Sequence, residues 1–226
     1  MSRRFDVVTF DCYGTLVDWE GGIAEAFLRE ASLHGVTLDR ENLLAAYHAV
    51  EPAIERLPYR SYRDVLAQTA AEVAGRLGWK IAPERASFLA ASLPLWRPFP
   101  DTTPALSELA ANGYRLGILS NVDDDLIAET RRLLSASFDL VVTAQQVRSY
   151  KPGTAHFHEA RDRIAGARWL HAAQSWFHDV APACALGIPV AWINRKGESR
   201  PGGATPEVEL ADLAGLSAWL REAGQA

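Results

Sequence analysis

Residues 7–16 read VVTFDCYGTL. Val7, Val8, Thr9 and Phe10 make a short, nearly continuous apolar run, the pattern of a strand covered on both faces. Asp11 closes the run with no basic residue beside it. Burying such a carboxylate costs several kcal/mol unless it is paired or hydrogen-bonded, a sizeable share of what a whole domain has to spare. Tyr13, Gly14 and Thr15 follow, so the chain turns directly after the acid. That turn raises two questions: what Asp11 is for, and why a phenol stands two residues beyond it.

Outward from this stretch, strand and helix alternate. The first strand is read over RFDVVTF, and further strands are predicted at 114–119, 138–142, 169–173 and 188–193. Helical periodicity falls between them, at TPALSELAANG before the second strand and at 123–134, 154–165 and 182–186, with a last helix at 210–222 after an exposed loop. Strands alternating with helices predict parallel βαβ units in a doubly wound sheet, an α/β fold. Residues from Trp19 to about Arg97 differ, being helical almost throughout, with turn signals at His34-Gly35, Leu57-Pro58, Gly78-Trp79 and Pro83. This predicts a bundle of about four helices inserted after the first strand, over the place where open α/β sheets bind ligands.

Composition narrows the function class. With 226 residues, the chain suits one large domain or a core carrying one insertion. Net charge is −5 and no basic run of five or more occurs, which argues against nucleic acid as a partner. No apolar stretch approaches the roughly 20 residues that cross a bilayer, so no membrane partner is expected. The opening Met1-Ser2-Arg3-Arg4 leads into a run too short for a secretory leader. The two cysteines, Cys12 and Cys184, have no metal-ligand spacing and fit a reducing cytoplasm. A cytoplasmic protein acting on a small molecule is the expectation.

Polar residues at the carboxyl ends of such strands converge on one crevice. Read in order, those ends supply Asp11, Ser120-Asn121, Lys151 in SYKPG and Asp179 in SWFHD. Each has a plainer reading alone: Asp11, Thr15, Ser120 and Asp179 as caps or turn formers, Asn121 as a turn stabiliser, Lys151 as a solvated side chain. Together they are complementary, and the chemistry they suggest is nucleophilic catalysis. Asp11 would attack an electrophilic carbon or phosphorus while Lys151 keeps it ionised. Thr15, Ser120 and Asn121 would bind the oxygens of an anion, and Asp179 would activate the water that opens the covalent intermediate.

These elements resemble the haloacid dehalogenase superfamily over essentially the whole chain. The matching motifs are D-C-Y-G-T-L at 11–16, L-S-N at 119–121, S-Y-K-P at 149–152, and an acid-bearing segment before G-I-P that ends in W-I-N-R at 192–195. The resemblance implies a Rossmann-like parallel sheet core with helices on both faces at 1–16 and 98–226, and an all-helical cap at 17–97. Most members are magnesium-dependent phosphatases that start Asp-x-Asp and keep two acids in the fourth motif. Here the second position is Tyr13. Aligned on Gly187, the first acid's place falls on Gln174 and the second on Asp179. An amide brings no charge to a magnesium site, and phosphoryl transfer relies on a cation. The arrangement is instead similar to the L-2-haloacid dehalogenase branch.

That branch implies removal of halide from short 2-haloacids through an ester on Asp11, with no metal and no cofactor. Asp179 with Lys151 would help water hydrolyse the ester. Ser120 would hold the substrate carboxylate, Asn121 would lie near the leaving halide, and Tyr13 would line the site. Dimerisation is common in the branch, so a homodimer is compatible with the resemblance. Several positions depart from the pattern. The branch's halide-receiving arginine aligns with His48, its tyrosine after the motif lysine with Phe157, and the serine and asparagine of its water shell with Gln174 and Trp176. His178, directly before Asp179, joins the candidate contacts. Trp19 at the cap's entrance and Tyr47, Tyr59, Tyr62 and Trp96 within it are either core or pocket wall, and Arg60 and Arg63 either surface or anion contacts. The same Asp11 would equally serve a phosphatase or another C–heteroatom hydrolase, and a catalytically silent binding protein is the remaining alternative.

Overall fold

Six strands build one sheet: β1 (Val7–Phe10), β2 (Arg115–Ser120), β3 (Leu140–Thr143), β4 (Trp169–Ala173), β5 (Val190–Ile193) and β6 (Val208–Leu210). All neighbours are parallel, in the order β3-β2-β1-β4-β5-β6. This is a computed structural model; it describes residues 3–223, so Met1 and Ser2 of the segment read as lacking a leader lie outside the described residues. β1 pairs with β2 on one side and β4 on the other, with Phe10 level with Ile118 and Ala172. The strand order reverses there, and ligands of open α/β sheets bind outside the carboxyl ends of the strands at such a reversal.

The sheet belongs to a compact unit formed by the described residues up to Val17, Pro98–Asn121 and everything from Leu134 on. Val7, Leu119, Val142, Phe157, Trp169, Val190 and Trp192 share one buried cluster, into which the helix Ala155–Ile164 sets Phe157, Ala160 and Ile164. Helices Thr102–Ala111 and Leu213–Ala223 pack on each other, the first against β2 and the second against β6. The sixth strand was not among those predicted, and the last helix starts three residues later than its pattern suggests. Val208-Glu209-Leu210 is a partly exposed edge paired only with β5. Three residues are too few to establish a period of two.

The second unit comprises Asp18–Arg97 with Val122–Leu133. Its helices are Trp19–Leu33, Arg40–Glu55, Tyr62–Arg76, Phe88–Ser92 and Asp124–Arg131. The reading at 17–97 did not include the 122–133 stretch. Asp123 explains why that stretch groups here: its carboxylate accepts from Tyr62 N at 2.8 Å and Arg63 N at 3.0 Å, satisfying free donors at a helix start. A cap 61 residues away in sequence leaves no local signal. Ile23, Phe27, Leu43, Tyr47, Leu66, Val73 and Leu89 are fully buried here. Gly22 lets the Trp96 indole close on the first helix, since a Cβ at that position would sit 2.3 Å from the ring.

Candidate active site

All residues of the following cluster belong to the sheet-bearing unit. Asp11 leaves β1 at its carboxyl end, where its N–H donates to Ala172 O of β4 at 3.1 Å. The chain then doubles back: Gly14, at φ 99°, donates to Val17 O at 2.8 Å, while the N–H groups of Leu16 and Val17 both reach Cys12 O. A residue with a Cβ is strained at that φ, so glycine makes the turn possible. The turn swings Thr15 back beneath the acid. Gln174 N donates to Thr15 Oγ1 at 2.9 Å, so the hydroxyl's own hydrogen is left for Asp11 Oδ2 at 3.0 Å. Arg195 holds the turn from outside. Its Nη2 donates to Thr15 O at 2.8 Å, its guanidinium pairs with Asp101, and it stacks 4.0 Å over the Phe99 ring.

Lys151 ties the strand ends together. Its buried Nζ donates to Asp11 Oδ1 at 2.9 Å, Asp179 Oδ1 at 2.6 Å and Leu119 O at 2.8 Å. Three donors meet three acceptors, so the ammonium is fully satisfied. Burial works against its charge, but the two carboxylates outweigh burial and push the Lys151 pKa up. For Asp179 burial again raises, yet Lys151 and then His171 outweigh it and hold the carboxyl well below its ordinary value. For Asp11 the balance falls the other way: burial raises it, Lys151 only partly offsets this, and the Asp179 charge adds to the rise. Two carboxylates share one ammonium, and Asp11 is the one whose pKa is pushed up.

Three polar atoms in and beside this cluster are buried and have no hydrogen-bond partner among the described residues: Ser120 Oγ, Asp179 Oδ2 and His156 Nδ1. Buried polar atoms are nearly always satisfied, so each of these calls for an explanation. Below Ser120, His156 Nε2 lies 3.1 Å from Ser120 O, a carbonyl that only accepts, so that nitrogen carries the ring's hydrogen. Burial and then Lys151 push the His156 pKa down to about 3, keeping the ring neutral.

The model of the haloacid dehalogenase-like hydrolases matches residues 5–172. The chain belongs to that family. This hydrolase is 28% identical to the (S)-2-haloacid dehalogenase of Pseudomonas fluorescens, over 96% of this chain and 97% of the other. With the (S)-2-haloacid dehalogenase H-109 of Pseudomonas putida the identity is 33%, over 54% of this chain and 57% of that one. Its fold is like that of an L-2-haloacid dehalogenase from Xanthobacter autotrophicus with chloropropionic acid covalently bound. There the TM-score is 0.84 at 21% identity, covering 96% of this chain and 98% of that one.

The remaining candidate residues of the hydrolase divide. Asn121 accepts from Lys151 N at 2.7 Å and donates through Nδ2 to Lys151 O at 3.1 Å. It therefore clamps the lysine's backbone, and one Nδ2 hydrogen is not used by that clamp. Tyr13 is half-buried and bridges Val17 through its backbone. His178 is half-buried in the π-helical turn Trp176–Val180, with Nδ1 3.0 Å from Ser175 Oγ. Trp176, at the position of the branch's water-shell asparagine, is instead a core residue packed edge-on to Trp192 at 4.8 Å. Gln174 offers its backbone, donating to Thr15 and accepting from Trp192 Nε1 at 2.9 Å.

Trp19 and His48 belong to the second unit. There the two rings meet edge to face at 5.2 Å, and His48 Nε2 lies 2.8 Å from Glu20 Oε1. Tyr47 and Tyr62 are buried in that unit, both donating their hydroxyls to Glu51 Oε1, at 2.7 and 2.9 Å. Trp96 is buried too, its indole N–H donating to Ser92 Oγ at 2.9 Å. These three side chains are core of their own unit. Thr9, His156, Trp169, His171 and Arg195 were not among the candidates, although all touch the cluster directly or through one or two partners.

Proposed function

We propose that this hydrolase removes halide from short 2-haloacids, with Asp11 attacking carbon and no metal taking part. The observation that carries this reading is the Asp11–Lys151–Asp179 bridge. One ammonium joins the two carboxylates, and positions 13 and 174 offer a phenol and an amide, which bring no charge to a divalent cation. Among the described residues no three His, Cys, Asp or Glu side chains come together as a metal-holding group.

In the first step the substrate carboxylate accepts from the Ser120 hydroxyl, which has no partner among the described residues. An Asp11 oxygen attacks the carbon bearing the halogen. The C–O bond forms as the C–halogen bond breaks, and its electron pair leaves with the halide. In the second step water attacks Asp11 Cγ and gives a proton to Asp179. Collapse breaks the acyl–oxygen bond and the departing 2-hydroxyacid takes that proton; Asp11, now holding one oxygen from water, releases water's second proton to solvent and regains its carboxylate. Lys151 serves both steps, balancing charge first on Asp11 and then on the tetrahedral oxyanion. On the resemblance, the helical insertion is assigned as the cap, with Trp19 and His48 its candidate substrate contacts. The two free cysteines support a reducing, cytoplasmic location.

The test is a panel of chloro-, bromo- and fluoroacetate and both 2-chloropropionate enantiomers, assayed in EDTA for halide and hydroxyacid. Equal yields of the two products are expected. Absence of halide from every member overturns the reading. Hydrolysis of p-nitrophenyl phosphate that requires added magnesium would replace it with a phosphatase using the same Asp11.

A further inference from the structure

Behind Asp179 lies a chain of side chains that the steps above do not use. Thr9 of β1 and His171 of β4 are register partners in the sheet, both fully buried, with Trp169 two residues before His171. Trp169 Nε1 donates to Thr9 Oγ1 at 2.7 Å. An indole N–H can only donate, so the Thr9 oxygen accepts and its own hydrogen is free for His171 Nδ1, 2.8 Å away. His171 Nε2 lies 3.1 Å from Asp179 Oδ1, a carboxylate oxygen that only accepts, so that nitrogen carries a hydrogen. The Phe157 ring stands edge-on to His171 at 5.4 Å and fixes its plane. Asp179 Oδ1 thus receives two N–H donors, from Lys151 and His171, while Oδ2 is buried with no partner among the described residues.

We propose that His171 is the positioning residue of the hydrolytic half-reaction. The Trp169–Thr9–His171 chain sets the ring's tautomer, and His171 with Lys151 pins Oδ1, leaving Oδ2 as the oxygen that takes the proton from water. Lys151 alone leaves the carboxylate free to rotate about its contact, whereas two donors on one oxygen fix which oxygen remains. The inference rests on the dehalogenase reading above, since it concerns the water that opens the Asp11 ester. It separates the two steps: attack on carbon involves Asp11 and Lys151, and only ester opening needs Oδ2 of Asp179.

Rapid mixing with excess chloroacetate, read by halide release and by intact-protein mass after acid quench, tests it. For His171→Leu the expected result is an undiminished burst of about one halide per active site. A steady-state rate about 10- to 100-fold lower should follow, a part of what a general base contributes. The protein should then accumulate as the Asp11 adduct. His171→Gln, whose amide restores an N–H donor, should recover part of the rate and show less adduct. Thr9→Val is isosteric and keeps the ring while removing the group that sets its tautomer. It should show the same adduct accumulation to a smaller degree, and it decides the matter if His171→Leu does not fold. A burst that falls in step with the steady-state rate, or adduct levels no different from wild type, overturns the role of His171 while the dehalogenase reading stands. A wild-type protein that forms neither halide nor adduct with any haloacid overturns that reading, and the role of His171 with it.

Discussion

β1 carries a carboxylate at each end, Asp6 just before Val7 and Asp11 just after Phe10, and the two behave oppositely. Each has one cation in direct contact, Arg168 at Asp6 and Lys151 at Asp11. Asp6 takes two guanidinium N–H groups of Arg168, at 2.7 and 2.9 Å, and the Arg168 backbone N–H at 3.1 Å. It stays in water, and those bonds hold its pKa down at about 2. Asp11 has the shorter list of donors, Lys151 and Thr15, shares its cation with Asp179, and is buried. There burial dominates and the pKa rises. The difference teaches that pairing alone does not make a carboxylate inert. A solvated, fully satisfied acid is an anchor; a buried one sharing its counter-ion holds charge that a reaction can use.

The largest effect expected at the carboxyl end is that of Asp11→Asn. It should lower halide release by about 10⁴-fold or more, as loss of a nucleophile does. Its melting temperature should not fall, because the amide removes one of the two carboxylates that share the ammonium. Lys151→Met should lower kcat/KM by about 10³-fold. It should also reduce stability at neutral pH by about 3–5 kcal/mol, since two buried carboxylates lose their counter-ion. Raised carboxyl pKa values mean the folded state binds protons more readily than the unfolded one, so that deficit should shrink as pH falls. In the wild type the acid limb of the pH–rate profile should lie above 3.8, the ordinary Asp value, because Asp11 must be ionised to attack and its pKa is raised. The same limb should move to still higher pH in Lys151→Met, and an unmoved limb would show that another group controls it.

A smaller effect is expected for Thr15→Val, which removes the hydrogen bond to Asp11 Oδ2 and leaves Gln174 N without its acceptor. The loss should be about tenfold in kcat with about 1–3 kcal/mol of stability, read from substrate saturation and urea unfolding. The smallest belongs to the other end of β1. Asp6→Asn should leave halide release unchanged and lower the melting temperature slightly, an effect that high salt should erase. The Asp6 contribution is complete at neutral pH and is lost as pH falls from 3.8 to about 2. A change in activity for Asp6→Asn would break the contrast between the two ends.

Much of this was legible along the chain for a local reason. Asp11, Lys151 and Asp179 each follow a strand whose apolar run shows in a handful of neighbours, and parallel topology brings those ends together without further instruction. Thr15 was legible as a polar residue of the same turn, read as a donor to a bound anion, whereas the structure turns its hydroxyl to Asp11. Thr9, Trp169 and His171 were not legible, because in a sheet covered on both faces a polar side chain looks like any other interior position. The partners in question are also 160 and 162 residues apart. Trp176 illustrates the same limit: the sequence marks it as a departure from the branch's water shell, and only its packing against Trp192 makes it core. By itself the sequence determined the alternation of strand and helix, the insertion after β1 and the identity of the acids, since these follow from periodicity and turn chemistry. Only the tertiary structure decided that one ammonium is shared by both acids, that both Asp11 oxygens are bonded, and that Asp179 Oδ2 has no partner among the described residues. Those depend on burial and on donors brought from distant strands, and no local pattern encodes them.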